Sequence, residues 1–352
     1  MSAIRVKFVA KMEAGGIDAL WRPLLPDGSD RIGDCVFTFD AEARDYDFLA
    51  VYEDLPPRPG ERQVLRREPL ACARANTLLL TTEPSSIRID GPAYLRQFGH
   101  VWTSRHASLA PHPNRVPGTP PLRFFYGRNM AGGAHRPLSD APPAKSKDLS
   151  GMSSTKAMAH TVHAKRLEFM LALKDRLGAR FDLYGRGLRP VDDKAEAMSD
   201  YRYHVAVENH VEPGHFTEKL TDCFVAGCLP FYYGDPDYAR VFPAEAVLPI
   251  DIYDLDGTVA RIERAIAQDE FMRRRSALAE ARRTALERFN TLRAVARTAE
   301  AVYDPDASRG GELLGRHAFR KAHPVKAVSD AVFRMRARKS PLSDPLQRNR
   351  AD

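Results

Sequence analysis

The sequence predicts an α/β fold in two domains, each built on a parallel sheet covered by helices. The chain has 352 residues, more than one hydrophobic core usually organises. Short runs of aliphatic and aromatic residues alternate with stretches of helix length, a pattern typical of parallel sheets with crossover helices. A proline-rich region interrupts this alternation, which then starts again.

In the N-terminal half, the strand candidates are short and mostly bounded by Gly, Pro, Asp or Asn. They cover residues 5–9, 35–39, 47–51, 77–80 and 101–103. The stretch 60–73 has the length of a helix. Eight of the 26 prolines then fall within residues 111–143, which indicates a surface excursion running into a linker. We therefore predict an N-terminal domain over residues 1–148.

The second half restarts the pattern with a helix at 163–178, where Leu167, Met170, Leu171 and Leu177 recur at helical spacing. Strands are predicted at 181–184, 203–207 and 229–233, and a helix at 217–226. Residues 258–297 read as mostly helical, in two pieces. We predict a second domain over residues 149–304 and a basic tail over 305–352.

The net charge of +7 lies in the tail, because residues 309–352 carry eleven basic and four acidic side chains. A neutral body argues against a nucleic-acid-binding fold, whose basic footprint would lie on the folded domain. The four cysteines are expected to be reduced and buried, and no zinc site is expected. The chain has no run of 18 apolar residues and starts like a buried strand, so we expect a cytoplasmic protein.

The chemistry is concentrated in residues 201–251. An apolar strand ends in Glu208-Asn209, a polar loop follows, and a helix opens with Phe216-Thr217-Glu218-Lys219. In open α/β sheets, ligands bind at the carboxyl ends of strands, and helix N-termini favour phosphate. A lysine in the first turn is unfavourable for the helix itself. Lys219 is therefore either held there for an anion or is a solvated surface lysine.

These motifs, taken with their spacing, resemble the donor-binding domain of family 10 fucosyltransferases, especially the bacterial branch. The resemblance extends over roughly residues 150–269, is patchy before them and is absent from the tail. The residues that carry it are Ser153 to Lys156, Arg166 and its helix, Tyr184-Gly185-Arg186-Gly187, Glu208-Asn209, Phe216 to Lys219, Ala226-Gly227, Pro230 and Gly234.

The resemblance implies a GT-B fold, in which two Rossmann-like domains face a central cleft. It implies that the C-terminal domain binds GDP-fucose, that the N-terminal domain binds an acceptor glycan, and that transfer inverts the anomeric carbon. No obligatory cofactor or divalent metal is expected. Two alternatives stay open: a GT-B transferase using a different nucleotide sugar, and a non-catalytic sugar-nucleotide-binding protein.

The resemblance assigns Arg166 and Lys219 to the donor diphosphate, where they would stabilise the GDP leaving group. It assigns Glu218 to the ribose hydroxyls and Asn209 to the neighbourhood of the phosphates. The remaining predicted donor-binding residues are Glu208, Phe216, Thr217, Tyr184 and Arg186. Glu208 is equally compatible with a buried structural acid. The family often has Tyr where Phe216 stands and Ser where His210 stands, which leaves the identity of the donor open.

The family's general base is a glutamate just after a strand of the N-terminal domain, in a T-x-E setting. The matching residue is Glu83, which follows the apolar run 78–80. The alternative is an ordinary loop acid before a proline. The run Asp45-Tyr46-Asp47 precedes a strand, so we predict a turn there and no metal site.

Residues 325–339 of the tail combine apolar and basic side chains at helical spacing. Such a helix suits an anionic membrane surface, which predicts peripheral contact with the inner face of the cell membrane. A disordered solubilising tail is the alternative. The apolar residues predicted to form the stripe are Val325, Val328, Val332, Phe333 and Met335.

Overall fold

The computed structural model describes residues 3–11, 16–26, 28–58, 60–116, 118–128, 138, 141–155, 162–340 and 342. Its strands are β1 (Ile4–Ala10), β2 (Arg31–Ile32), β3 (Cys35–Thr38), β4 (Phe48–Tyr52), β5 (Arg67–Pro69), β6 (Thr77–Thr81), β7 (His100–Thr103), β8 (Arg115–Val116), β9 (Lys147–Met152), β10 (Asp182–Tyr184), β11 (Tyr201–Val207), β12 (Leu229–Tyr233), β13 (Leu248–Pro249) and β14 (Glu312–Leu314). Its α-helices are α1 (Gly16–Trp21), α2 (Pro92–Leu95), α3 (His163–Leu177), α4 (Ala195–Met198), α5 (Glu218–Ala226), α6 (Leu255–Ala267), α7 (Glu270–Arg273), α8 (Arg275–Arg288), α9 (Thr291–Val302), α10 (Arg316–Ala322) and α11 (Pro324–Arg338).

The chain forms two compact units, of which the first comprises Met1–Pro121 and Thr291–Asp344. Its main sheet has the strand order β2-β3-β1-β4-β6-β7-β8, and every neighbouring pair is parallel except β2 and β3. The central strands β4 and β6 are almost wholly buried, which explains their continuous apolar sequences. Both strands end at the same edge of this sheet.

The second unit comprises Leu122–Asn290 and Pro345–Asp352. Its sheet has the order β10-β9-β11-β12-β13, and all of its neighbouring pairs are parallel. Helix α3 follows β9 along the chain, and α5 connects β11 to β12. The prediction of two α/β units with parallel sheets is confirmed.

Residues 60–73 contain no α-helix, contrary to the prediction, and instead contribute the short strand β5. The buried side chains of this stretch alternate, at Val64, Arg66, Glu68, Leu70 and Cys72. That period of two belongs to extended backbone. Two of the five positions, Arg66 and Glu68, are charged and are buried within ion pairs. Because of these two charges, the alternation of buried and exposed side chains does not show in the sequence as an alternation of apolar and polar residues.

The units divide the chain at other places than predicted. The predicted boundary at residue 148 lies inside β9, a strand that pairs with both β10 and β11. The predicted separate tail packs largely with the first unit, where β14 pairs with β5 and Arg309 lies 2.6 Å from Asp47. The helical region predicted in two pieces forms four helices, and the chain passes into the first unit between α8 and α9.

Cys35, Cys72, Cys223 and Cys228 are reduced and buried, as predicted. Among the described residues, no group of three or more His, Cys, Asp or Glu side chains is arranged to hold a metal ion. The helices within the described ranges are also too short or too polar for a membrane-spanning segment.

Candidate functional site

A cleft of about 190 Å³ opens in the second unit, where β9, β10 and β11 end. Its lining includes Ser153 and Ser154 after β9, Gly185 and Arg186 after β10, and the last residues of β11. Arg166 on α3 and the first turn of α5 complete it. The carboxyl edge of a parallel sheet is the usual ligand site of an open α/β fold, and the cleft lies at the edge where the sequence predicted the donor site.

Helix α5 begins at a cap built by Thr217 and Glu208. The Thr217 hydroxyl accepts the backbone N–H of Lys219 at 3.3 Å. Glu208 is 1% exposed, and its carboxylate accepts the backbone N–H and the hydroxyl of Thr217, both at 2.7 Å. Glu208 is thus a buried, hydrogen-bonded acid that fixes the start of the helix. This position agrees with the second of the two roles that the sequence left open for Glu208, that of a buried structural acid.

The ammonium group of Lys219 lies among acceptors at this cap. Its Nζ is 3.0 Å from the Thr217 hydroxyl, 3.3 Å from a Glu208 oxygen and 3.5 Å from a Glu218 oxygen. These contacts offset the unfavourable position of a cation at a helix N-terminus. The side chain keeps 21% of its surface exposed toward solvent, so Lys219 is both held in place and accessible from the cleft.

The carboxylate of Glu218 is ionised and also lines the cleft. Burial by itself would raise the pKa of this carboxyl, but the neighbouring ammonium groups of Lys219 and Lys194 outweigh burial and lower the pKa to about 2. An ionised carboxylate can only accept hydrogen bonds. Glu218 is therefore suited to bind hydroxyl groups of a ligand.

Arg166 is 6% exposed and lines the cleft. Its Nε is buried and has no hydrogen-bond partner among the described residues. Burial lowers the pKa of the guanidinium, and the carboxylates of Glu208 and Glu218 act in the opposite direction. Because an arginine stays charged in proteins, the group is a buried cation with an unused donor. An anion in the cleft would satisfy it.

Arg186 lines the cleft, whereas Asn209 is not among the residues that line it. The backbone carbonyl of Asn209 accepts the N–H of Val162 at 3.2 Å, which ties the end of β11 to the start of α3. Its side-chain oxygen is buried without a partner in the described structure. Arg186 is exposed at the rim of the cleft. Lys156, at the end of the matching segment after β9, lies outside the described residues.

Two predicted donor-binding aromatics lie elsewhere. The Phe216 ring is 2% exposed and packs in the core, 5.2 Å from the Phe242 ring and 5.0 Å from the Phe289 ring by their centroids. Tyr184 is 3% exposed, and its hydroxyl lies 2.8 Å from that of Tyr201. Both aromatics belong to the core and not to the lining of the cleft, so the structure assigns them to packing.

Two buried histidines lie in the loop before α5. His210 and His215 are 2% and 1% exposed, and their ring centroids lie 5.6 Å apart. The Nε2 of His210 lies 2.9 Å from the carboxylate of Glu212. His210 therefore has a packed position in the loop, at the point where the family often has Ser.

Sequence reasoning missed Lys194, which also lines the cleft. Its Nζ lies 2.8 Å from Asp222, which is 0% exposed, and 3.7 Å from Glu218. Burial alone would lower the pKa of Lys194, but these two carboxylates raise it, so the side chain is a cation. The sequence feature that pointed to a cation here was the pair of acids Glu218 and Asp222, which lie four residues apart on α5.

Glu83 lies in the first unit, two residues beyond β6 at the carboxyl edge of that sheet. Its side chain is exposed. Its backbone N–H donates to Glu53 at 3.2 Å, and its backbone carbonyl accepts from Arg105 at 2.8 and 3.0 Å. The structure therefore places the predicted base at a strand end, with a held backbone and an exposed carboxylate.

Residues 143–274 match the family model described as glycosyltransferase family 10 (fucosyltransferase) C-term. Human FUT6, named 4-galactosyl-N-acetylglucosaminide 3-alpha-L-fucosyltransferase, is 27% identical over 112 residues, which span 30% of this chain and 31% of that protein. The alpha-(1,3)-fucosyltransferase FucT of Helicobacter pylori is 28% identical over 74 residues, 21% of this chain and 16% of that protein. A crystal structure of an alpha1,3-fucosyltransferase with GDP-fucose is 13% identical with a TM-score of 0.43, over 79% of this chain and 82% of that chain.

The matched segment contains every residue that lines the cleft. The resemblance drawn from the motifs between Arg166 and Gly234 is thereby confirmed. Over residues 143–274, this chain is therefore similar to glycosyltransferase family 10, the fucosyltransferase family.

Proposed function

We propose that the protein is an inverting glycosyltransferase that moves fucose from GDP-fucose to a hydroxyl group of an acceptor glycan. One observation carries this proposal: a cleft in a fucosyltransferase-family segment is lined by four cationic side chains, of Arg166, Arg186, Lys194 and Lys219. One of them, Arg166, has a buried donor without a partner among the described residues. A nucleoside diphosphate is an anion that such a set of cations suits.

In this proposal, Arg166 and Lys219 bind the diphosphate and stabilise the negative charge that develops as GDP leaves. Arg166 offers a planar pair of N–H donors, which matches two phosphate oxygens, while Lys219 offers a mobile point charge. Glu218 accepts hydrogen bonds from the ribose hydroxyls. Because side chains supply this positive charge, we propose that donor binding and transfer need no divalent metal.

Glu83 would act as the general base. It removes the proton of the acceptor hydroxyl as that oxygen attacks the anomeric carbon and the bond to GDP breaks. A single displacement of this kind inverts the anomeric configuration. The first acceptor to test is a 4-galactosyl-N-acetylglucosaminide, the acceptor in the name of FUT6, with an alpha-1,3 linkage as the expected product.

Calorimetric titration with GDP, GDP-fucose, UDP and CDP, in buffer containing EDTA, tests the donor class. We expect GDP and GDP-fucose to bind selectively. Lys219→Ala and Arg166→Ala should each weaken GDP binding by about tenfold to a hundredfold, since a hydrogen bond to a charged group contributes roughly 1.5–3 kcal/mol.

Arg189→Ala is the matched control, because Arg189 is an exposed arginine of the same unit that stacks on Tyr184, with 4.5 Å between the guanidinium and the ring centroid. It should leave GDP binding unchanged. Preference for UDP or CDP would contradict GDP-fucose as donor and favour a transferase for another nucleotide sugar. Normal GDP-fucose binding without transfer to any glycan would favour the non-catalytic alternative.

We also propose that the protein works at the cytoplasmic face of a membrane, to which α11 binds peripherally. Val325 is 82% exposed, Val328 65%, Val332 36% and Met335 60%. Their spacing places them in one stripe along the helix. The exposed basic residues that accompany the stripe are Lys326, Arg336, Arg338 and Lys339. An apolar stripe with basic neighbours fits an anionic lipid surface.

Phe333, which was predicted to belong to the stripe, packs instead against Ile89, Leu109 and Ala337. The opposite side of α11 is anchored by Asp330, whose carboxylate accepts the backbone N–H groups of Ala93 and Tyr94 at 2.9 and 3.0 Å. The helix is therefore held by one side on the first unit and exposes the apolar stripe on the other.

Val328→Asp should lower binding to vesicles made of equal parts phosphatidylglycerol and phosphatidylcholine by roughly tenfold, because it removes apolar area and adds repulsion from anionic lipid. Met272→Asp, at a residue of α7 that is 49% exposed, is the control. Cosedimentation measures both. If the two variants bound the mixed vesicles equally, a role for α11 would be contradicted. The same conclusion would follow if the wild-type protein bound vesicles of pure phosphatidylcholine as well as it binds the mixed vesicles.

A further inference from the structure

A network of charged side chains surrounds the backbone of Glu83 in the first unit. Four of its members are Glu53 after β4, Arg88 and Asp90 before α2, and Arg105 after β7. We call these four residues the clamp. They lie beyond the carboxyl ends of three neighbouring strands of one sheet, β4, β6 and β7, around the loop that carries Glu83.

The clamp holds Glu83 from both sides. One oxygen of the Glu53 carboxylate accepts the N–H of Glu83 at 3.2 Å, the Thr82 hydroxyl at 2.5 Å and the Thr82 N–H. The Arg105 guanidinium donates from Nε and Nη2 to the carbonyl of Glu83, at 3.0 and 2.8 Å. Both polar groups of the Glu83 backbone are thus bound by side chains from other strands.

Glu53 itself has an unusual backbone, with φ of +70°. A residue with a side chain rarely occupies this left-handed region, and such residues persist where the surroundings determine them and cluster at functional sites. Here the Glu53 N–H donates to Leu80 on β6 at 2.8 Å, and its carbonyl accepts from Arg88 and Arg316 at 3.0 and 3.1 Å. This backbone turns the carboxylate toward the Glu83 loop.

The clamp is built from buried charges. Arg105 is 1% exposed and Asp90 is 2% exposed, and the Asp90 carboxylate accepts from Arg105 at 2.9 Å and from Arg88 at 3.0 Å. Arg88 also pairs with the second oxygen of Glu53. Desolvating several charges is unfavourable unless each is paired. Backbone hydrogen bonds or apolar packing would hold an ordinary loop without that penalty.

We propose that Glu53 and Arg105 are positioning residues, which hold the Glu83 backbone so that its carboxylate points at the acceptor hydroxyl. The inference rests on the proposed function, in which Glu83 is the general base. A displacement of the reacting groups by about 1 Å lowers the rate by about a hundredfold. A base on a short loop therefore needs rigid support of the kind that the clamp supplies.

Glu53→Gln should lower kcat for transfer to the acceptor disaccharide named above by about tenfold to a hundredfold, with the KM for the acceptor and the affinity for GDP changed less than about twofold. Glu68→Gln is the control, because Glu68 is also a buried acid of the first unit and pairs with Lys7 at 2.8 Å and Arg66 at 3.2 Å. The Glu68→Gln variant should have about the same thermal stability as the Glu53→Gln variant, but its kcat should equal that of the wild type.

A double-mutant cycle separates positioning from general support. If Glu53 acts through Glu83, Glu53→Gln should lower kcat in the wild type but should have little further effect in Glu83→Gln. Additive losses, or equal kcat losses in Glu53→Gln and Glu68→Gln, would overturn the positioning role. A normal kcat in Glu83→Gln alone would instead contradict the proposed function, so the two failures are distinguishable.

Arg105→Lys provides the same test if Glu53→Gln does not fold. Lysine keeps the positive charge beside Asp90 but loses the paired donors to the Glu83 carbonyl. We expect Arg105→Lys to lower kcat as much as Glu53→Gln does, and to have little further effect on kcat when it is combined with Glu83→Gln. A kcat equal to that of the wild type would overturn the role of Arg105.

Discussion

Replacing Glu83 with glutamine should lower kcat for fucose transfer by about a hundredfold to ten-thousandfold, the range that a general base contributes. Glutamine has nearly the same shape but cannot accept the proton of the acceptor hydroxyl. Because Glu83 lies in the first unit and the donor cleft in the second, GDP-fucose affinity should stay unchanged. Steady-state kinetics with saturating donor and acceptor measure kcat, and calorimetry measures donor affinity.

The control for this experiment is Glu312→Gln, at an acid of the first unit that pairs with Arg67 at the surface. It removes the same charge without touching the loop after β6, so kcat should stay at the wild-type value. An unchanged kcat in Glu83→Gln would exclude Glu83 as the base. A parallel loss of GDP-fucose affinity would indicate that the substitution disturbs more than proton transfer.

The cleft of the second unit lies where the sequence predicted a donor site because much of the cleft is local in sequence. Glu208 to Lys219 span one strand end, one loop and one helix start, and each of these features has its own sequence signal. Lys194 gave no such signal, because it lies in an irregular loop just before the short helix α4. Its role depends on Asp222, which in sequence is one more acid on a helix.

The aromatic assignments failed for a related reason. Phe216 and Tyr184 flank the motifs, but a residue next to a ligand-binding side chain can point into the core as easily as toward the cleft. Only tertiary packing decides between the two directions. Here Phe242 and Phe289, which are distant in sequence, surround the Phe216 ring.

The domain division was also beyond sequence reasoning. The chain returns to the first unit at α9, and β14 then pairs with β5, although each of these two strands has only three residues. Pairing between strands so far apart in sequence follows from their tertiary environment and not from local propensity. The basic composition after residue 305 suggested a tail, although several of its charges form ion pairs, such as Arg309 with Asp47.

The largest expected effect on stability is that of Asp222→Ala. Asp222 is 0% exposed, pairs with Lys194 at 2.8 Å and accepts the backbone N–H of Phe125 at 3.0 Å. Its removal leaves the backbone N–H of Phe125 without its acceptor and leaves the Lys194 ammonium with only the more distant carboxylate of Glu218, at 3.7 Å. Breaking a buried ion pair in this way costs about 3–5 kcal/mol of the free energy of unfolding. Urea denaturation followed by circular dichroism measures the change.

Glu263→Ala is the matched control, because Glu263 forms an exposed pair with Arg180 in the same unit, also at 2.8 Å. Exposed pairs contribute roughly 0–1 kcal/mol, so the free energy of unfolding should barely change. A loss in Asp222→Ala no greater than in this control would show that the Lys194–Asp222 pair is not a buried charge pair in solution.

The double variant Lys194→Met/Asp222→Leu then separates stability from function. Replacing both partners of a buried ion pair with apolar side chains of similar size is often neutral or stabilising. We therefore expect the double variant to recover most of the stability that Asp222→Ala loses. GDP affinity should nevertheless stay below the wild-type value, because the cleft has lost one of its four cations. If both stability and GDP affinity recovered, Lys194 would support only the fold, and the diphosphate would depend on the other cations of the cleft.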